Sequence, residues 1–265
     1  MFDRFNRNIN YLRISVTNRC NLRCSYCMPE EGIQLLDHAD ILSFEEITDF
    51  TRIAIANGIT KVRLTGGEPL VRRNIVGLVS MLAALEGLED LSMTTNGTLL
   101  SKYAFELKKA GLNRINISLD TIDADQYRTI TRNGELAAVL EGIEMAKIAG
   151  LEPVKINCVL LGQSDEDLQK LKQFCEKRGL CLRFIHQMNL KNGEFAVVEG
   201  GEGGNCVKCN RLRLQANGDI KPCLFSDLVY NIRKLGHQEA LNLTIGNKPR
   251  NGTYNQSGEF YNIGG

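Results

Sequence analysis

Asn113-Arg114-Ile115-Asn116-Ile117-Ser118-Leu119-Asp120 alternates polar and apolar side chains without a break. With a period of two, Arg114, Asn116, Ser118 and Asp120 point to one face of a β-strand, and Ile115, Ile117 and Leu119 to the other. The pattern recurs elsewhere: Lys61, Arg63 and Thr65 oppose Val62 and Leu64, while Lys155 and Asn157 oppose Val154, Ile156 and Cys158. Strands are predicted near 10–17, 61–65, 90–95, 113–119, 154–161 and 180–187, with helical patterns between several of them. Ser43 and Glu46 make a capping box before a helix over 44–57, and Ser164 with Asp167 a weaker cap before 165–178. Gly58, Gly111, Gly150 and Gly179 follow helical stretches, as C-terminal stops do.

Strand and helix in alternation imply an α/β fold of βαβ units with a parallel sheet and right-handed crossovers. Six units are fewer than the eight that close a full barrel, so a partial (β/α)6 TIM-like barrel is expected over 1–187. Parallel strands covered by helices normally read as continuous apolar runs, and these do not. If helices cover the apolar faces, the polar faces line a wet concave side. Arg13, Arg183 and the pair Arg211/Arg213 add cations on strand-like segments. Burying unpaired cations is costly, so such a lumen predicts a bound polyanion.

Beyond about residue 188 the alternation stops, and a C-terminal region, 188–265, follows. A Gly-rich loop at 200–204 leads to a hairpin pattern over 211–223 turning at Asn217-Gly218, then a further helix over 226–236. The stretch 246–265 reads as a loosely attached tail.

The 265 residues are 43% hydrophobic and 24% charged, which fits a globular protein and disfavours disordered or membrane-spanning chains. A formal charge of +1 supplies no field for a nucleic-acid backbone or an anionic membrane, so neither is expected as a partner. The N-terminus lacks the apolar stretch of a signal peptide, and the expected location is cytoplasmic.

Nine cysteines are too many for that setting unless they bind metal or do redox chemistry. Six form two triplets, Cys20-x3-Cys24-x2-Cys27 and Cys206-x2-Cys209-x13-Cys223. Cys158, Cys175 and Cys181 read as small buried hydrophobes. Three thiolates on one loop can hold an iron–sulfur cubane with one iron open. A structural zinc site at the second triplet, completed by His237 or Cys181, is the rival, in a non-catalytic protein. His38, His186 and His237 are too scattered to form a histidine site.

The first triplet, with Tyr26 before its last cysteine, resembles the signature of the radical S-adenosylmethionine (SAM) superfamily. Thr65-Gly66-Gly67-Glu68-Pro69, one βα unit later, resembles that superfamily's SAM-binding segment. Further stretches, Leu12 to Cys20, Leu64 to Arg73, Thr94-Thr95-Asn96-Gly97, Arg114 to Asp120 and Cys209 to Leu214, resemble the GTP 3′,8-cyclase family of molybdenum-cofactor biosynthesis. The resemblance implies two 4Fe-4S clusters, on Cys20, Cys24 and Cys27 and on Cys206, Cys209 and Cys223. It implies SAM contacts from Tyr26, Gly66, Gly67, Glu68, Asn96, Ser118 and Met188. GTP contacts are implied for Arg13, Arg63, Thr94, Lys155 and the segment Arg211, Leu212, Arg213, with Arg211 and Arg213 also serving catalysis; the cationic strand face adds Lys61 and Arg183. An external donor of flavodoxin or ferredoxin type would supply the electron, and the next pathway enzyme or a second copy of the chain would be further partners. Gly264-Gly265 resembles the family's tail that reaches into the site.

Two departures stand out. Only 17 residues separate Met188 from Cys206, several dozen fewer than the family has there, and His186 stands where the family has Glu. A radical SAM paralogue acting on another phosphorylated small molecule, or on a peptide, therefore stays open.

Overall fold

The computed structural model describes residues 1–256 and 260–263. Among these residues nine strands form one sheet: β1 (Tyr11–Ser15), β2 (Lys61–Thr65), β3 (Asp90–Thr95), β4 (Arg114–Ser118), β5 (Lys155–Leu160), β6 (Cys181–His186), β7 (Arg211–Leu214), β8 (Asp219–Lys221) and β9 (Tyr230–Asn231). Their order is β6-β5-β4-β3-β2-β1-β7-β8-β9. β1 to β6 are parallel and neighbour one another in chain order, as right-handed βα winding produces. β7 joins the free side of β1 in parallel, and β8 and β9 follow antiparallel. The barrel is open, as its six units require.

The helices are α1 (Phe44–Ala56), α2 (Ile75–Ala83), α3 (Leu100–Lys109), α4 (Ala124–Thr131), α5 (Leu136–Ile148), α6 (Asp165–Arg178), α7 (Ile232–Leu235), α8 (His237–Gly246) and α9 (Phe260–Ile263). The capping box of α1 forms: Glu46 N donates to Ser43 Oγ at 3.1 Å, and Ser43 N to Glu46 Oε2 at 2.7 Å. α6 begins with Asp165, Glu166 and Asp167 and ends with Lys177 and Arg178, a charge order that suits the helix dipole. Gly179 stops it in a left-handed conformation at φ 67°.

The odd-even alternation builds the core. Leu12, Ile14, Val62, Leu64, Ile115, Ile117, Ile156 and Leu212 are all fully buried, against Phe50, Leu78, Leu107 and Ile143 of the helices. Each such side chain contributes about 1.5–3 kcal/mol by leaving water. No helix among the described residues is long and apolar enough to cross a membrane.

The structure corrects three expectations. The helix over 226–236 is replaced by strand β9 and the single turn α7, and the longer helix is α8. Asn231 begins α7 as its cap, accepting from Arg233 N and Lys234 N. Residues 246–256 are not loose: Lys248 and Asn255 are buried, and Asn255 Nδ2 donates to Leu224 O at 2.8 Å. Cys158 and Cys175 are buried, but Cys181 is exposed at the start of an edge strand. Gly264-Gly265 lies outside the described residues.

Candidate active site

The first triplet sits on the loop after β1. Arg23 N and Ser25 N donate to Thr131 O and Ile130 O at the end of α4, and Cys27 N and Met28 N turn back onto Cys24 O. Cys20 Sγ accepts from Leu22 N at 3.4 Å and from Asn96 Nδ2 at 3.8 Å. Burial raises all three thiols; Cys27 and then Asp120 push Cys24 higher still, and Cys20 helps to bring Cys27 to about 12. Three sulfurs near enough to oppose one another's ionisation suit a cationic cluster, which ionises thiols on binding. Among the described residues no three His, Cys, Asp or Glu side chains are arranged to hold a single ion. In a cubane each thiolate binds a different iron, so that arrangement is not required.

Gly66 and Gly67 bring the end of β2 against this loop. A Cβ on Gly66 would lie 2.7 Å from Thr17 O, and one on Gly67 2.3 Å from Arg19 O. Gly67 N and Glu68 N instead donate to Thr17 O and Arg19 O, each at 2.8 Å. The Glu68 carboxylate is buried and accepts from Leu70 N at 3.0 Å, Thr95 Oγ1 at 2.7 Å and Asn96 N at 2.7 Å. Burial outweighs these bonds and lifts its pKa to about 7. Glu68 thus ties the ends of β2 and β3 together. Asn96 and Ser118 follow at the ends of β3 and β4, the sheet edge where α/β enzymes place their sites.

One residue escaped the sequence reading of this region. Asp120 is buried; its Oδ2 accepts from Tyr26 Oη at 2.9 Å and its Oδ1 from Val159 N at 2.8 Å. Burial raises Asp120 to about 6 and, with Asp120 beside it, raises the Tyr26 phenol as well. The polar parity of 114–120 had put Asp120 on the inner face, which was the available signal.

Cys206, Cys209 and Cys223 line one cavity of about 820 Å³, counted to its open mouth, together with Arg13, Arg211, Arg213 and Met188. The other proposed zinc ligands are elsewhere. His237 opens α8 with its ring edge-on to Phe50, and Cys181 pairs with Lys155 at the start of β6. Burial raises the Cys209 thiol, but Lys248 and Arg211 outweigh it and bring the pKa down to about 7.

A second cavity of about 900 Å³ shares Arg13, Ile185, Val198, Gly203 and Arg211 with the first. Strand register explains its lining. Arg213, Arg13, Arg63, Ser92 and Arg114 stand side by side across five strands, as do Asn116 and Lys155, and Asn157 and Arg183, on their neighbours. Arg114 pairs with Asp90 at 2.5 Å. Arg63, Lys155 and Arg183 make no salt bridge among the described residues, although Arg63 donates to Ser92 Oγ at 3.3 Å and lies over the Tyr11 ring. Burial lowers the pKa of Arg13, Arg63, Lys155 and Arg183; neighbouring cations add to it, Arg213 at Arg13 and Arg183 at Lys155. Burial, then Arg211, brings Arg213 to about 10. Thr65 Oγ1, Thr94 Oγ1 and Asn116 Oδ1 are buried without hydrogen-bond partners among the described residues, which fits a polar ligand. Lys61 starts β2 beside Tyr11 and lines neither cavity, and the Leu212 side chain is in the helix-facing core.

The short 189–205 loop crosses this mouth. Arg183 Nε donates to Gly200 O at 3.2 Å, Arg211 Nη2 to Glu202 O at 3.3 Å, and Glu199 Oε1 lies 3.1 Å from His186 Nε2.

Residues 14–175 match the Radical SAM superfamily. GTP 3′,8-cyclase of Thermodesulfovibrio yellowstonii is 44% identical over 282 aligned positions, covering 89% of this chain and 88% of that protein. That alignment is longer than the chain itself, so the relative carries stretches with no counterpart here. GTP 3′,8-cyclase of Geobacter sulfurreducens is 40% identical and covers 94% and 93%. Among solved structures, Streptococcus suis SuiB bound to precursor peptide SuiA superposes with a TM-score of 0.70 at 18% identity, over 91% of this chain and 65% of that one. Methylornithine synthase (PylB) does so with a TM-score of 0.57 at 19% identity, over 69% and 54%. These two share the fold.

Proposed function

We propose, from the premise that this chain belongs to the radical SAM superfamily and within it to the GTP 3′,8-cyclase family, that it converts GTP to (8S)-3′,8-cyclo-7,8-dihydro-GTP, the first step of molybdopterin biosynthesis. The observation that carries the substrate is the row of cations on the concave face: Arg63, Lys155 and Arg183 line one cavity, and among the described residues none is paired with a carboxylate. A triphosphate answers that charge, and guanidinium groups grip phosphate oxygens in bidentate fashion at any working pH.

When bound, a 4Fe-4S cluster and SAM supply a 5′-deoxyadenosyl radical at the expense of one electron from outside. Cys20, Cys24 and Cys27 would hold that cluster. Gly66 and Gly67, lacking side chains, leave backbone to meet the SAM amino group, with Asn96 after β3, Ser118 at the end of β4 and Tyr26 held in place by Asp120. Met188 lines the neighbouring cavity and would contact SAM from the other side. Cys206, Cys209 and Cys223 would hold a second 4Fe-4S cluster against the purine. Arg13, Arg63, Lys155, Arg183, Arg211 and Arg213 would bind the triphosphate, and the unpartnered Thr94 hydroxyl offers a further hydrogen bond. The new bond joins ribose C3′ to guanine C8, so the chain has to fix those atoms beside the radical source and keep water away.

The electron would come from a flavodoxin or ferredoxin type donor in the cytoplasm; a homodimer and transfer to the next pathway enzyme are further parts of this reading. Action on another phosphorylated small molecule or a peptide is the second reading, favoured by the short loop over the mouth. Anaerobic reconstitution decides between them. About eight irons per chain, with 5′-deoxyadenosine formed as GTP disappears, are expected; SAM cleavage with GTP untouched would transfer the assignment to the second reading.

A further inference from the structure

Lys248 belongs to none of the motifs above and lines neither cavity, yet only 1% of it is exposed. Its Nζ donates to Arg211 O at 2.8 Å and to Pro222 O at 2.5 Å. The sulfurs of Cys209 and Cys223 are close enough to act on its charge. An ammonium has three N–H donors, and the two carbonyls take two of them. Arg211 lies two residues after Cys209, and Pro222 immediately precedes Cys223. One buried group therefore fastens both arms of the second triplet.

The charge is the telling part. Lys248 has no carboxylate in salt-bridge reach among the described residues; burial lowers its pKa, Arg7 adds to that, and ionised sulfurs at Cys209 and Cys223 would oppose it. A buried cation without an anion costs several kcal/mol. Neutral thiols do not offset that cost, whereas thiolates on a cluster do. Hydrogen bonds to cluster sulfurs and nearby charge are also the means by which proteins set a cluster's reduction potential.

We propose that Lys248 is a positioning residue of the second cluster: its ammonium holds the Cys209 and Cys223 arms in place and, as a fixed positive charge beside their sulfurs, keeps that cluster easier to reduce. The proposal rests on reading Cys206, Cys209 and Cys223 as cluster ligands. The test uses the full chain, reconstituted anaerobically, as wild type and as Lys248→Met, Lys248→Gln and Lys248→Arg. Iron content is measured, and each cluster is titrated by electron paramagnetic resonance, the first being recognised by its response to SAM.

Lys248→Met is expected to lose second-cluster iron, or to keep it with a potential shifted to more negative values. Lys248→Gln, which can still donate to both carbonyls without charge, should show the negative shift even if the Met variant does not fold. Lys248→Arg should stay near wild type, and the first cluster should not move in any variant. Unchanged potentials in the Met and Gln variants would overturn the proposal, as would equal loss of iron in all three, which would mark steric fit instead of charge. A wild-type chain with only about four irons would sink the two-cluster reading itself and this proposal with it.

Discussion

Gly67→Ala adds one methyl group where the structure leaves no room for it. The new Cβ would lie 2.3 Å from Arg19 O, 2.7 Å from Arg19 C and 3.1 Å from Asn18 O. Comfortable contact needs roughly 3.5 Å, so the two backbones must part by about 1 Å. Both are held together by the 2.8 Å bonds from Gly67 N to Thr17 O and from Glu68 N to Arg19 O, and one or both would be lost. Overpacking costs about 1–3 kcal/mol and an unmade buried bond about as much again, so the folded apo-protein should lose about 2–5 kcal/mol. Arg19 precedes Cys20, and a displacement of about 1 Å at a reacting centre costs on the order of 100-fold in rate. Gly246→Ala is the control: it sits in α8 with nothing within 4 Å of its added Cβ, and should be neutral or stabilising by up to about 1 kcal/mol. Denaturant unfolding of both apo-variants, followed by iron content and SAM cleavage after reconstitution, reads the effect. If Gly67→Ala unfolds like wild type and cleaves SAM at the wild-type rate, the close-approach argument is wrong.

Three further outcomes are expected. Arg63→Met and Lys155→Met should each weaken GTP binding about 10- to 100-fold, the worth of a charge-assisted bond, and leave SAM affinity unchanged in equilibrium binding. Arg7→Met should cost about 3–5 kcal/mol, seen as a lower Tm, because Arg7 pairs with the buried Asp3 at 2.6 Å and donates to the carbonyls of Cys206, Pro249 and Arg250. A melting temperature within a degree or two of wild type would contradict it. Glu68 has a folded pKa of about 7 against an ordinary value of 4.5, so the folded apo-protein holds a proton that the unfolded chain has released between those values. Stability should therefore fall as pH rises from about 4.5 to 7, by up to about 3 kcal/mol, and Glu68→Gln should flatten that slope. A slope unaltered by the substitution would assign the titration to other groups.

The strands, their parity and the caps were legible because each is local: a period of two, a Ser-x-x-Glu box, a glycine after a helix. Parity put Lys61, Arg63 and Lys155 on the polar face; Arg63 and Lys155 do share a cavity with Arg13 and Arg183, while Lys61, at the start of its strand, lines neither that cavity nor the cysteine-lined one. What the chain did not disclose depends on distant partners. Lys248 and Asn255 lie in a polar, Gly-rich stretch that looks unburied until the carbonyls of Arg211, Pro222 and Leu224 are seen to need donors. Arg7 is likewise unremarkable in sequence and central in space. Asp120 could be placed on the inner face but not given its partner, because Tyr26 comes from a loop 94 residues earlier in the chain. Cys181 misled because an apolar run at an edge strand is covered on fewer sides than one in the middle of the sheet.

If these residues present the ribose of GTP to the radical source, the hydrogen that is removed comes from C3′. Anaerobic incubation of the reconstituted protein with SAM, a reductant and GTP carrying deuterium at C3′ follows that atom. Mass spectrometry is expected to find deuterium in the 5′-deoxyadenosine as GTP is consumed. Unlabelled 5′-deoxyadenosine with intact GTP would contradict it.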